Sequence, residues 1–342
     1  MLLRNSKTPA QPRNPQTQSR QLWSGLLAGV LAVGLFFLAH GSLPAQQAPA
    51  NADDDVPIFK SGTELVDLHV SVMDKNGKLI TDVPEAAFKV TENGVEQPIK
   101  NFRREDVPVS MGILIDNSGS MRDKRTKVAA AAKALILASN PQDEDFIVNF
   151  NDDAFLDQPF TSDVKKLSSV LDKLGASGGT AMRDAIRMSI NYMKQKGTRE
   201  KKVLLVVTDG NDNTSEILQD QLMREVRESD VLIYAIGLLS EEEPRDASAA
   251  KKALKALTEA SGGLDYYPKD LSEVEKITPQ VAHEIRNQYL LAYSPTNTAL
   301  DGTFRQIRVT VKGYTNVRYR NGYYATAAGQ SKPTGPSFSN KE

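Results

Sequence analysis

The stretch ILIDNSGSM, from Ile113 to Met121, decides the fold of this chain. An apolar run ends here in Asp116, and a short polar turn containing Gly119 leads into a predicted helix, which is the pattern of a buried strand followed by a loop and a helix. The run VLLVVT, from Val203 to Thr208, is apolar on both faces, as a central strand of a parallel sheet is. We therefore expect an α/β fold with a doubly wound, mostly parallel sheet.

Strands and helices alternate around these two runs, over residues 108–268. Spacing of apolar residues near 3.6 predicts helices, and short apolar runs between them predict strands. The predicted helices are 122–139, 163–174, 181–194, 216–229 and 248–260, and the remaining predicted strands are 145–150, 231–237 and a short one at Tyr266 and Tyr267.

The segments on either side of this region are rich in β-strand patterns. Residues 58–104 contain short alternating strands separated by turn signals such as Asp74 to Lys78, and about 45 residues are few for an independent core. Residues 269–326 read as a helix near 270–287 followed by a β-hairpin, with strands at 288–294, 304–312 and 319–325. We expect these late strands to join the 58–104 segment in a small β-sandwich-like module, and the tail at 327–342 to be disordered.

The amino-terminal segment, residues 1–50, has the pattern of an export signal. It is basic, it has no acidic residue, and its apolar run at 22–39 is followed by small residues near Ala45 and Ala48. An uncleaved membrane anchor is the alternative, because 18 apolar residues fall just short of the roughly 20 that span a bilayer. Either version places the rest of the chain outside the cytoplasm, in the periplasm, in the cell envelope or in the medium.

Composition excludes several classes of function. A formal net charge of -1 argues against a nucleic-acid binder, which needs a basic face. The absence of Cys excludes disulfides, thiolate metal sites and Cys nucleophiles. The three histidines, His40, His69 and His283, have no partner at the spacing of a zinc hydrolase.

Three predicted loops carry oxygen ligands at one edge of the sheet. Asp116, Ser118 and Ser120 follow the first strand, Thr180 follows a pair of glycines before a helix, and Asp209 ends the run VLLVVT. Ligands of doubly wound sheets bind beyond the carboxyl ends of the strands, and carboxylate and hydroxyl oxygens suit Mg²⁺, with Mn²⁺ or Ca²⁺ as alternatives. Taken alone, the Asp-x-Ser-x-Ser motif is equally compatible with a helix N-cap.

The sequence motifs ILIDNSGSM, GGTAMRDAI and VVTDG resemble the metal-ion-dependent adhesion site of von Willebrand factor A domains. The resemblance covers residues 108–268 and implies a Rossmann-like fold. The flanking segments resemble more loosely an exported bacterial VWFA-related family described from acidobacteria. The resemblance implies that Ser118, Ser120 and Thr180 bind a cation directly and that Asp116 and Asp209 bind it partly through water. It also implies an open coordination position for an Asp or Glu of a protein partner; we assign the rim around it to Asn117, Gly179 and Asn211.

We therefore expect an exported, non-enzymatic adhesion module that binds protein through a divalent cation. A metal-dependent hydrolase is the first alternative, but no His, Cys or Lys lies beside the motif words and no second carboxylate lies next to Asp116. A scaffold in which the cation only stabilises the fold is the second alternative. We expect contact with a membrane only if the amino-terminal anchor stays uncleaved, and we expect no nucleic-acid partner.

Overall fold

A computed structural model describes residues 65–104, 106–210, 212–239, 244–326 and 338. The predicted signal peptide or anchor at residues 1–50 lies outside these residues, as does almost all of the predicted tail at 327–342. Within the described part of the chain, no helix is long and apolar enough to cross a membrane.

The chain alternates strands and helices in its middle and has strands alone near both of its described ends. The strands are β1 (Val66–Met73), β2 (Leu79–Ile80), β3 (Phe88–Glu92), β4 (Val95–Gln97), β5 (Ile99–Arg104), β6 (Val109–Asp116), β7 (Glu144–Phe150), β8 (Ala154–Thr161), β9 (Lys201–Thr208), β10 (Val231–Gly237), β11 (Asp265–Tyr266), β12 (Tyr289–Tyr293), β13 (Phe304–Val311), β14 (Asn316–Arg318) and β15 (Gly322–Tyr324). The helices are α1 (Arg125–Leu137), α2 (Val164–Leu171), α3 (Met182–Lys196), α4 (Gln219–Glu228), α5 (Pro244–Ser261) and α6 (Leu271–Arg286), with short 3-10 turns at Glu85–Ala87 and Gly119–Met121.

The central sheet has the strand order β11-β10-β9-β6-β7-β8. Its strands pair in parallel, except that β8 runs antiparallel to β7 at the edge. The strands β6, β9 and β10 are buried along their whole length apart from a half-buried Lys202, because helices cover both faces. The predicted doubly wound α/β fold is confirmed.

Two apolar cores lie on the two faces of this sheet. Side chains of α1, α2 and α6, such as Leu135, Leu167 and Val281, pack on one face. Side chains of α3, α4 and α5, such as Ile186 and Leu254, pack on the other. Each helix packs its apolar stripe along the sheet. The loops that join strands to helices therefore lie beyond the two ends of the parallel strands.

Strands from both described ends of the chain form two antiparallel sheets that face each other. One sheet has the order β14-β1-β12-β5 with β2 beside β1, and the other has the order β15-β13-β3-β4. Their facing side chains, among them Leu68, Val90, Leu291 and Val309, form a third apolar core. The strict alternation of exposed and buried residues along β13 matches the pattern in its sequence. The β-sandwich-like module predicted from the flanking segments is therefore present.

Three local predictions were wrong. The strand β8 was not predicted, because AFLDQPFT is half-buried, polar and interrupted by Pro159, as an edge strand tolerates. The strand predicted at 319–325 is shorter and corresponds to β15, and the strand β14 just before it was not predicted; the two belong to different sheets of the sandwich. The first helix begins at Arg125 rather than at Arg122, because a 3-10 turn at Gly119–Met121 precedes it.

A buried polar cluster joins α6 to both parts of the fold. The Ser71 hydroxyl of β1 donates to the Glu284 carboxylate of α6, and the Gln288 amide donates to both. The Lys201 ammonium at the start of β9 donates to the Ile285 carbonyl and lies near the Glu284 charge. Burial raises the pKa of Glu284, and Lys201 opposes that rise.

Candidate metal centre at the carboxyl edge of the central sheet

Two neighbouring parallel strands bring the first and last predicted ligands together. β6 ends at Asp116, β9 ends at Thr208, and the two strands pair with Ile115 opposite Val207. Asp209 follows directly, so both carboxylates emerge at the carboxyl edge of the sheet. Asp116 is 1% exposed and Asp209 is fully buried, so neither carboxylate is an ordinary surface charge.

A chain of short contacts links four of the five predicted ligands. The Ser118 and Ser120 hydroxyl oxygens lie 3.1 Å apart, and the Ser120 hydroxyl donates to Asp209 Oδ1 at 2.9 Å. The Ser118 amide donates to Asp116 Oδ1 at 2.9 Å. The Thr208 hydroxyl donates to Asp116 Oδ2 at 2.6 Å and thereby holds this carboxylate in place.

These side chains do not cap a helix. Ser118 is the residue before the 3-10 turn, yet it makes no side-chain capping bond, and the residue before α1 is Lys124. The alternative that the motif is a helix N-cap is therefore wrong. The hydroxyls of Ser118 and Ser120 lie instead against each other, and the Ser120 hydroxyl donates to Asp209.

Thr180 lies on the adjoining loop. The Gly119 amide donates to the Gly178 carbonyl at 3.1 Å, which joins this loop to the one that carries the two serines. The Thr180 amide donates to Asn213 Oδ1 at 2.9 Å. Thr180 is only 5% exposed, so its side chain is buried beside the serine loop.

The residues assigned to the rim have different surroundings. Asn117 is 7% exposed, and its backbone bonds to the Phe150 carbonyl and the Ser177 amide, which fixes the loop. The Gly179 amide donates to Asp152 Oδ1 at 2.8 Å. Asn211 lies outside the described residues.

The arrangement fits a hard, octahedral cation. Adjacent oxygens around Mg²⁺, at about 2.1 Å from the ion, stand about 3 Å apart, and the two contacts of the Ser120 oxygen measure 3.1 and 2.9 Å. In the described part of the chain, no three His, Cys, Asp or Glu side chains gather into a metal site. The hydroxyls of Ser118, Ser120 and Thr180 would therefore have to complete the coordination that Asp116 and Asp209 begin.

Burial raises the pKa of Asp116 to about 6, while hydrogen bonds from Ser118 and Thr208 act in the opposite direction and the charge of Asp209 adds a smaller rise. A buried carboxylate beside a second one is costly in its charged form. A bound divalent cation would offset that cost.

Lys124 is a site residue that the sequence reasoning missed. Its ammonium lies 2.7 Å from Asp209 Oδ2, with the lysine side chain 6% exposed and the aspartate 0% exposed. The expectation that no Lys lies beside the motif was wrong, because the 3-10 turn after Ser118 folds Lys124 back over the end of β9. Its position three residues beyond Met121, in a run of charged residues, gave no signal of burial.

Residues 111–211 match the family model of the von Willebrand factor type A domain, and the chain contains such a domain. The calcium-activated chloride channel regulator 1 of Mus musculus is 27% identical over 169 residues, which are 46% of this chain and 17% of that protein. Because the chain spans less than a fifth of that relative, the likeness concerns the domain and not the whole protein.

Two solved structures are similar to this chain at low identity. A von Willebrand factor type A protein from Catenulispora acidiphila is 14% identical, with 78% of this chain and 74% of that chain covered and a TM-score of 0.47. The vWF domain of the type V pili tip protein from Porphyromonas gingivalis is 11% identical, with 53% and 95% covered and a TM-score of 0.44.

Proposed function

We propose that the von Willebrand factor A domain of this chain is an exported, cation-dependent protein-binding module. Asp116, Ser118, Ser120, Thr180 and Asp209 hold a divalent cation, Mg²⁺ in the first place, with Mn²⁺ or Ca²⁺ as alternatives. The cation supplies a positive charge with an open position, which an Asp or Glu side chain of a protein partner fills.

The position of the Ser120 hydroxyl is the single observation that carries this proposal. It lies within hydrogen-bond distance of both the Ser118 hydroxyl and the Asp209 carboxylate, so residues from two loops converge on one point. Three of the five proposed ligands are neutral hydroxyls, which leave most of the charge on the cation. A charge that the protein does not neutralise attracts a carboxylate from outside.

The contacts around the serines favour a binding site over a catalytic site. Lys124 cannot serve as a base for the serines, because its ammonium donates to Asp209 and has no lone pair to accept a proton. Asp209 itself accepts bonds on both oxygens. The carboxylate that accepts from Ser120 is thus already paired with Lys124 and is itself a proposed cation ligand, which makes it a poor proton acceptor for a nucleophilic serine.

Export is the part of the proposal that rests on the amino-terminal pattern. The basic segment and the apolar run at 22–39 direct the domain out of the cytoplasm. In the cell envelope or the medium, the module would be exposed to other envelope proteins and to surface proteins. It would bind a carboxylate of such a protein through Mg²⁺.

Capture of a partner from envelope extract tests the proposal. The full chain is immobilised and exposed to extract in Mg²⁺ or in EDTA, and the same is done with Asp116→Ala and with Asp82→Ala as a control at an exposed carboxylate. We expect the partner to be retained in Mg²⁺ by the wild-type chain and the control, and to be lost in EDTA and with Asp116→Ala. Retention of the same partner under all conditions contradicts the proposal.

A further inference from the structure

We propose that Lys124 acts as a resident cation that weakens metal binding until a partner carboxylate arrives, so that metal and partner bind cooperatively. This inference rests on the proposed function and specifies how the same site is regulated. It is carried by the contact between the Lys124 ammonium and the Asp209 carboxylate.

The ammonium lies on a carboxylate that the metal also needs. Asp209 Oδ2 accepts from Lys124 Nζ at 2.7 Å, while Oδ1 accepts from the Ser120 hydroxyl at 2.9 Å. Both groups of the ion pair are buried, so water screens the charge of Lys124 only weakly. A divalent cation that approaches Ser120 and Asp209 therefore meets a positive charge a few ångströms away.

The local backbone holds Lys124 in place. Its amide donates to the Met121 carbonyl at 3.0 Å, and its own carbonyl accepts from the Val128 amide at 3.1 Å in the first turn of α1. The lysine is thus anchored to the 3-10 turn that includes Ser120 and to the helix behind it. The main chain of Lys124 is thereby fixed next to the loop that carries the metal ligands, within reach of Asp209.

The net charge of the site explains why metal and carboxylate would bind cooperatively. Among the described side chains linked by the contacts above, Asp116 and Asp209 contribute two negative charges and Lys124 one positive charge, which leaves one net negative charge for a divalent cation to meet. Binding of the metal makes this group of charges net positive by one. A single carboxylate from a partner returns it to zero, whereas without Lys124 the metal alone would already do so.

A purely structural ion pair predicts a different result. If Lys124 only neutralised the buried Asp209, its removal would destabilise the fold and would leave the metal less tightly bound or unchanged. If Lys124 competes with the metal, its removal strengthens metal binding and weakens the effect of added carboxylate.

Calorimetric titration of the full chain with Mg²⁺, in the absence and presence of acetate, separates the two. The variants are Lys124→Met, which keeps the length and removes the charge, Lys124→Arg, which keeps the charge, and Lys127→Met, which changes an exposed lysine nearby on α1. Circular dichroism confirms that each variant is folded.

We expect Lys124→Met to bind Mg²⁺ at least about tenfold more tightly than the wild-type chain, because buried charges this close interact by more than the free energy of a tenfold change. Acetate should tighten Mg²⁺ binding in the wild-type chain, in Lys124→Arg and in Lys127→Met, and much less in Lys124→Met. Unchanged or weaker binding by folded Lys124→Met overturns the inference. A wild-type chain that binds no Mg²⁺ overturns the proposed function itself.

Discussion

The Ser120 hydroxyl donates a hydrogen bond of 2.9 Å to Asp209 Oδ1, although 89 positions separate the two residues in the chain. The bond is formed because β6 and β9 are parallel neighbours whose carboxyl ends lie side by side. It connects the loop that carries the serines to the end of a buried strand. Several consequences of this arrangement are open to measurement.

Removal of the Ser120 hydroxyl should impair metal binding without unfolding the domain. Ser120→Ala deletes one proposed ligand and the bond to Asp209, and we expect Mg²⁺ affinity to fall at least about tenfold, since residues that merely support ligands already contribute about 10–100-fold. Isothermal titration measures the effect. Ser169→Ala, on the exposed face of α2, is the control, and equal affinities in the two variants would argue against Ser120 as a ligand.

A side chain at Gly178 would displace the Asp152 carboxylate, which accepts from the Gly179 amide. Its φ is +79°, and a Cβ there would lie 2.2 Å from Asp152 Oδ2. We expect Gly178→Ala to lower the free energy of unfolding by about 1–3 kcal/mol and to weaken Mg²⁺ binding through the displaced Thr180 loop. Gly77 has a φ of +81° with nothing within 4 Å, so Gly77→Ala shows the cost of the backbone conformation alone. Chemical denaturation of both variants should give the larger loss for Gly178→Ala.

The stability of the chain should depend on pH through Asp145. Burial, and then the neighbouring Asp143 charge, raises the pKa of Asp145 from 3.8 to about 8. Between these values the folded chain holds a proton that the unfolded chain releases, so this carboxyl lowers stability as pH rises and does so fully above about pH 8.

Asp145→Asn removes that titration. We expect the variant to gain stability relative to the wild-type chain as pH rises from about 4 to 8, in denaturation curves recorded without metal. Asp82→Asn changes an exposed carboxylate and should leave the pH profile as it is. A wild-type profile that Asp145→Asn fails to flatten would refute the assignment.

The charge of Lys201 should matter more than that of its neighbour Lys202. Lys201→Met leaves the buried Glu284 without the opposing charge, and we expect a loss of about 3 kcal/mol in the free energy of unfolding. Lys202 pairs with the exposed Asp230, so Lys202→Met should cost less than about 1 kcal/mol. Addition of Glu284→Gln to Lys201→Met should recover part of the loss, which a double-mutant cycle measures.

Regular elements with a strong apolar pattern could be predicted from the sequence. The central strands β6, β9 and β10 and the helices around them follow from apolar runs and helical spacing, because burial on both faces leaves little choice of residue. The edge strand β8 could not be predicted in this way, since one polar face and Pro159 remove the signal.

The part of the candidate site that lies at the ends of buried strands could also be predicted from the sequence. Asp116 and Asp209 end buried strands, so their meeting follows from the order of the sheet. The position of Lys124 depends on a 3-10 turn rather than on any repeating pattern, and a lysine just before a helix ordinarily faces water. The role of all five proposed ligands stays a prediction until metal binding is measured.

The pairing of β5 with β12 has a mechanical consequence. Arg104, just before the central domain, lies opposite Tyr289, just after it, in the same antiparallel ladder. A pulling force between Leu65 and Thr326 is thus carried first by the hydrogen bonds of the sandwich, in β1, β5 and β12. Tension bypasses the domain with the Asp116 loop until this ladder opens, so a partner bound there would be held by a structure that the load does not stretch.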